Sequence, residues 1–214
     1  MELEYKYYVP STYEVEAIVD NPYWRGFHLT PWTKVLHKAR YLLDQEDILS
    51  KHFVACRLRL EKEGYMLCFK KSQGPEGTLS HRIELNFPWN ETIPTINECK
   101  DLLSRSDDPD AAKVLQVLNL IKEDFFSYVL VADCLRYETL LEEEDLHVQV
   151  TVDRGELSVK SHSKPCYELE VEYLSGDLER FHSLARDIQE VFGLLAPTEN
   201  KFSRLHAMWN RYYA

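Results

Sequence analysis

The chain has 214 residues, 44% of them hydrophobic and 29% charged, with a formal net charge of −11. That length suits one generous domain, and the composition is that of a globular protein rather than a disordered one. The acidic balance argues against a nucleic-acid duplex as partner, which needs a basic face, and no apolar run approaches the ~20 residues of a membrane span.

In chain order, Glu2-Leu3-Glu4-Tyr5-Lys6 alternates charged and apolar residues. The strand period of two puts Glu2, Glu4 and Lys6 on one face and Leu3, Tyr5 and Tyr7 on the other. These early charges and the lack of an apolar stretch beside them predict no signal peptide, and a cytoplasmic location is expected. Ser11-Thr12-Tyr13-Glu14-Val15-Glu16 reads as a helix start with hydroxyl caps, ended by Asn21-Pro22. Residues 23–32 form an aromatic loop or edge strand, and 33–44 a strand. Val54–Glu61, Tyr65–Lys71 and Ser80–Phe87 are three strands joined by turns at Lys62-Glu63-Gly64 and Gln73–Gly77, an antiparallel meander.

Pro88 and Pro94 break the strand pattern, and Asp107-Asp108-Pro109-Asp110 opens a helix whose face carries Val114, Leu115, Leu118 and Ile121. Strand runs follow at Phe126–Ala132, Arg136–Leu141, Leu146–Asp153, Leu157–Ser161 and Tyr167–Tyr173. Leu178–Phe192 is an amphipathic helix stopped by Gly193, and 201–213 a basic, aromatic tail helix. The five cysteines show no CxxC spacing and read as buried free thiols. The eight histidines show no zinc-ligand spacing. The fold class is therefore α+β: residues 1–214 as a single domain, in which about eight antiparallel strands could close into a barrel, with flanking helices and a helical insert.

The opening alternation recurs on other strands. Arg57 and Arg59 share a face, as do Cys68 and Lys70, Arg82 and Glu84, and Glu168, Glu170 and Glu172; Asp153 follows Thr151, Gln149 and His147. Each strand singly fits a solvated face. Together, in a closed sheet, the charges would point into a lumen and need partners. Carboxylates there would suit Mg²⁺ or Mn²⁺, and forked guanidinium donors would suit phosphate oxygens.

Glu2-Leu3-Glu4-Tyr5-Lys6 resembles the ExExK signature of the CYTH superfamily, the triphosphate tunnel metalloenzymes. The resemblance extends to Arg57–Arg59, Phe69–Lys71, Arg82–Glu84, the run ending at Asp153, Tyr167–Glu172 and Asn200–Ser203, in the family's order. It implies an eight-stranded antiparallel tunnel and a metal-dependent phosphohydrolase acting on tripolyphosphate or a small organic triphosphate. Glu2, Glu4, Glu168 and Glu170 would ligate Mg²⁺ or Mn²⁺, and Lys6, Arg57, Arg59, Lys70, Arg82 and Arg136 would bind substrate. Glu4, Glu170 and Lys201 would serve the chemistry, with Glu84, Asp153 and Glu172 in support. A monomer or dimer without membrane partner is expected. The resemblance leaves two alternatives, a class IV-like adenylyl cyclase and a non-catalytic polyphosphate-binding module. The chain departs from the family pattern at Asp133-Cys134, at Tyr41-Leu42-Leu43-Asp44, and across 88–130, which has no match.

Overall fold

Eight strands close on themselves, with most of the alternating charges of β1, β3, β4, β5 and β8 turned inward. The computed structural model describes residues 2–10, 14–72, 79–196 and 199–213, apart from the side chains of Glu2, Leu79, Ser80 and His81. The strands are β1 (Glu2–Tyr8), β2 (Thr33–Leu43), β3 (Val54–Glu61), β4 (Gly64–Lys71), β5 (Leu79–Trp89), β6 (Tyr128–Glu143), β7 (Leu146–Val159) and β8 (His162–Gly176). They form a closed barrel in the order β1-β5-β4-β3-β2-β6-β7-β8, antiparallel throughout, with β8 paired back onto β1. Helices α1 (Val15–Val19), α2 (Ile48–Lys51), α3 (Ile96–Ser104), α4 (Ala111–Leu118), α5 (Leu178–Phe192) and α6 (Lys201–Tyr213) complete the α+β fold. Among the described residues no helix is long and apolar enough to cross a membrane.

Two apolar layers lie outside the barrel. Ile18 of α1 and Phe181, Ile188 and Phe192 of α5 cover Val148, Val150, Val152, Leu169 and Val171. Leu49, Ile96, Cys99, Leu103, Val114 and Leu118 of α2–α4 cover Val54, Cys56, Leu67, Phe69 and Leu85. A third layer is internal: Leu205, Met208 and Trp209 of α6 pack on Ala39, Leu130, Ala132, Leu157 and Val159. By strand parity these residues share the lumen face with Asp153 and Arg136, so α6 is folded over one end of the barrel.

Several sequence expectations change. The five runs between Phe126 and Tyr173 are only three long strands, β6 to β8. The apparent gap near Arg154-Gly155-Glu156 is a close strand approach: a Cβ on Gly155 would lie 2.0 Å from the Asp133 carbonyl oxygen. Pro88 does not end β5, which runs to Trp89. The β1 ladder stops at Arg82, so Pro88 needs no donor toward that side. The 88–130 insert holds two helices. α3, which the two prolines obscured, begins with a capping box between Thr95 and Glu98. α4 ends at Leu118, although Ile121 beyond it is buried. α1 is capped by Glu14 with no side-chain bond; the expected caps Ser11 and Thr12, and the Gln73–Gly77 turn, lie outside the described residues. All five cysteines are buried and free.

Candidate active site

Register brings the opening charges to the strands expected to complement them. Lys6 on β1 faces Glu170 on β8, Thr151 and Asp153 on β7 face Glu170 and Glu168, and Arg136 on β6 faces Asp153. The Lys6 ammonium bridges Glu4 and Glu170, 3.0 Å from each. The Arg136 guanidinium donates to both Asp153 oxygens at 2.8 and 2.7 Å and to Glu170 at 3.0 Å. Lys201, the first residue of α6, contacts Glu168 and reaches Asp153 at 3.0 Å and Glu170 at 3.3 Å. Arg204, one turn later, donates to Glu168, which is fully buried. Glu4 also holds Arg82.

Charge pairing governs protonation on this β1/β7/β8 wall. Burial pushes the Asp153 carboxyl up, but Arg136 and Lys201 outweigh it and hold the group below the usual carboxylate range. Burial likewise opposes ionisation of Glu170, and Lys201, Lys6 and Arg136 hold it well below. Burial would lower the Lys201 ammonium, yet Glu168, Glu170 and Asp153 raise it well above its ordinary value. On this wall Asp153, Glu170 and Lys201 are thus held in charged form by their ion-pair partners.

The wall of β3, β4 and β5 differs. Arg57 and Arg59 each approach Glu84 only to 3.9 Å, while Lys70 sits 2.5 Å from the same carboxylate. Arg59 also pairs with Glu61 near the strand end, and Arg57 donates to the Tyr41 hydroxyl at 3.2 Å. The Nε donors of Arg57 and Arg59 are buried and have no hydrogen-bond partner among the described residues. A buried, unsatisfied guanidinium donor is costly, and a phosphate oxygen is its natural acceptor.

Between the walls lies a cavity of about 1510 Å³, lined by Glu4, Lys6, Arg57, Arg59, Lys70, Arg82, Glu84, Arg136, Glu170, Glu172 and Lys201. Asp153 and Glu168 sit beneath its surface, fully buried. Among the described residues one group of carboxylates brings its oxygens within 4.8 Å of one another, Asp153, Glu168 and Glu170. Three hard oxygen donors fit a divalent cation such as Mg²⁺ or Mn²⁺. Asp153, expected as a support, lies with Glu168 and Glu170 and is itself held by Arg136 and Lys201, while Glu4 is engaged by Lys6 and Arg82. The Glu2 side chain lies outside the described set; its backbone pairs with Arg82.

Sequence reasoning assigned no role to His37, Tyr41 or Arg204. His37 and Tyr41 share the lumen parity of β2 with Val35 and Ala39, the one signal that could have found them. Burial and then Arg136 lower the His37 imidazole to about 2, so it is neutral, and its Nδ1 is buried without a partner among the described residues. His147, weighed as a lumen residue, is exposed beside Ser175.

The architecture is that of a polar-lumen antiparallel barrel with opposed acidic and basic walls. The family model for the CYTH domain matches residues 1–205, and the chain belongs to that family. A putative adenylyl cyclase from Hippeastrum, described as having a dominant triphosphatase activity, is similar over 97% of this chain and 96% of its own, at 17% identity and a TM-score of 0.61. A putative adenylate cyclase from Bacillus halodurans is similar over 100% of this chain and 98% of its own, at 18% identity and a TM-score of 0.54. At such identities the likeness is one of fold.

Proposed function

We propose that the chain is a divalent-metal-dependent triphosphatase that hydrolyses the terminal phosphoanhydride of tripolyphosphate or a small organic triphosphate. The observation that carries this reading is the pair of buried, unsatisfied Nε donors on Arg57 and Arg59, facing a wall of carboxylates across one lumen. A divalent cation held by Asp153, Glu168 and Glu170, with Glu4 and Glu2 at the adjoining strand, would neutralise phosphate oxygens and acidify a bound water.

The remaining work falls to the side chains. Arg57, Arg59, Lys70 and Arg82 bind non-bridging phosphate oxygens, and Lys6 places its ammonium between the phosphates and Glu4 and Glu170. Arg136 and Lys201 keep Asp153 and Glu170 ionised, so that they serve as ligands. Water attacks the terminal phosphorus, the bond to the bridging oxygen breaks, and Glu4 takes the water's proton. Phosphoryl transfer depends mostly on position and electrostatics, which this arrangement supplies without a nucleophilic side chain.

The test is phosphate release from tripolyphosphate, thiamine triphosphate, ATP, GTP and pyrophosphate with Mg²⁺ and Mn²⁺. Metal-dependent release from tripolyphosphate is expected, and Glu4→Gln should abolish it at saturating metal. Cyclic AMP as the product from ATP would replace this reading with a cyclase. Tight tripolyphosphate binding without release under either metal would replace it with a binding module.

A further inference from the structure

Lys6, Arg136, Lys201 and Arg204 all engage the carboxylates of Asp153, Glu168 and Glu170, but unequally. Arg136 forks onto Asp153 and reaches Glu170, Lys6 divides its ammonium between Glu170 and Glu4, and Arg204 serves one oxygen of Glu168. Lys201 touches all three. Its ammonium contacts the other Glu168 oxygen and lies 3.0 Å from Asp153 and 3.3 Å from Glu170. These are the three carboxylates whose oxygens come within 4.8 Å of one another. The ammonium therefore sits where they converge.

A divalent cation bound by the same carboxylates has to draw on the same oxygens. Two of the three groups, Asp153 and Glu168, are fully buried, and repulsion between like charges is strong away from water. Three carboxylates are already met by four cations, so an added ion of charge two has no negative charge left to neutralise. Metal and ammonium are alternative occupants of one place.

Of the four cations, Lys201 is the one built to leave. Arg136 is fixed by its fork onto Asp153, and Arg204 is held over the Tyr8 ring, 5.1 Å from its centroid. Lysine carries a compact charge on a flexible stem. Lys201 also lines the cavity, where phosphate oxygens would give its ammonium new acceptors. Nor does the helix call for it: Lys201 is the first residue of α6, and a cation at a helix N-terminus opposes the dipole.

We propose that the Lys201 ammonium is an internal stand-in for the metal, which closes the Asp153, Glu168 and Glu170 cluster to a free divalent cation and withdraws into the lumen when the metal enters. This rests on the triphosphatase reading. A triphosphate in the lumen draws the ammonium away from the carboxylates, so that substrate and metal load together.

Lys201→Met keeps the stem and removes the charge. Mn²⁺ titrated into the protein without triphosphate, followed by calorimetry, should bind the variant at least tenfold more tightly than the unaltered chain, the scale of one charge-assisted contact. An unchanged or weaker affinity overturns the exchange, because a lysine that only supported the ligands would be missed by the metal. If the variant does not fold, the unaltered protein decides. Lys201 is 5% exposed, and an amine-acetylating reagent should modify it several-fold faster in saturating Mn²⁺ than in EDTA, read by peptide mass. Mn²⁺ binding that leaves this rate unchanged overturns the exchange while the metal site stands. Failure of every folded form to bind Mn²⁺ overturns the metal reading and the exchange with it.

Discussion

The two walls of the barrel solve the same problem, buried charge, in opposite ways. On the β1/β7/β8 side, Glu4, Asp153 and Glu170 each lie within about 3 Å of at least one cation, and Lys6, Arg136 and Lys201 each serve two or more carboxylates. On the β3/β4/β5 side, Arg57 and Arg59 reach their shared carboxylate at 3.9 Å and keep unsatisfied Nε donors. The first wall pairs its charges within itself. The second gains most from an incoming anion, because its donors have already lost water and have not yet found acceptors. Stability should therefore reside in one wall and affinity in the other.

The largest expected effect is on the balanced wall. Asp153→Asn removes a fully buried carboxylate and leaves Arg136 with Glu170 alone and Lys201 with Glu168 and Glu170, which should cost about 3 kcal/mol, read by chemical denaturation. Arg57→Met on the other wall keeps much of the volume and removes one of the cations around Glu84. Its stability should stay within about 1 kcal/mol of the parent, while tripolyphosphate affinity falls at least tenfold, as expected for a charge-assisted contact worth ~1.5–3 kcal/mol. Equal destabilisation by the two substitutions would break the comparison.

His37 sits on β2, between the walls, with Arg136, Asp153 and Lys201 of one wall and Arg57 of the other acting on it. Its folded pKa of about 2 lies below the ordinary imidazole value of 6.5. The unfolded chain therefore binds the extra proton first. Stability is fully present above about pH 6.5 and is lost as pH falls, at roughly 1.4 kcal/mol per pH unit. Asp153 and Glu170, also depressed, add their loss only below about pH 4, where their unfolded-state counterparts protonate. His37→Asn should flatten the denaturation profile between pH 6.5 and 4.5 and leave the steeper acid limb. A profile unchanged by the substitution would show that the imidazole is solvated rather than enclosed by the two walls.

Much of this contrast is legible in sequence because strand parity is a local property. The alternation of Glu2 to Lys6, Arg57 to Arg59 and Glu168 to Glu172 placed their side chains on one face before any sheet was drawn, and β3, α5 and α6 have the bounds expected of them. What parity does not carry is depth and distance along the lumen. Asp153 lies beside Glu168 and Glu170 because β7 neighbours β8 in a register that pairs Asp153 with Glu168. Lys201 completes that cluster only because α6 folds over the barrel end, and an amphipathic tail does not say which surface it will cover. β6 and β7 read as broken strands because Gly155 and Asp133-Cys134 interrupt alternation where two backbones approach closely. α3 was obscured by flanking prolines, although Thr95 and Glu98 carry its capping signal.

That cap supplies the smallest test of the comparison. α3 and α4 back the outer face of the anion-deficient wall, through Ile96, Cys99 and Leu103 against Cys56, Phe69 and Leu85. In Thr95 the hydroxyl accepts from the Glu98 N–H at 3.1 Å, and Glu98 returns the bond to the Thr95 N–H at 2.7 Å. Thr95→Ala deletes one arm of this box, and helix caps of this kind are worth about 1 kcal/mol. For a chain of this size the melting temperature should fall by roughly 2–4 °C. Tripolyphosphate affinity should not move, because the affinity of that wall comes from the charges on Arg57 and Arg59 and not from the tightness of the helices behind them. A loss of affinity as large as that of Arg57→Met would mean that the insert holds the arginines in place, and the division between a wall for stability and a wall for binding would have to be redrawn to include α3.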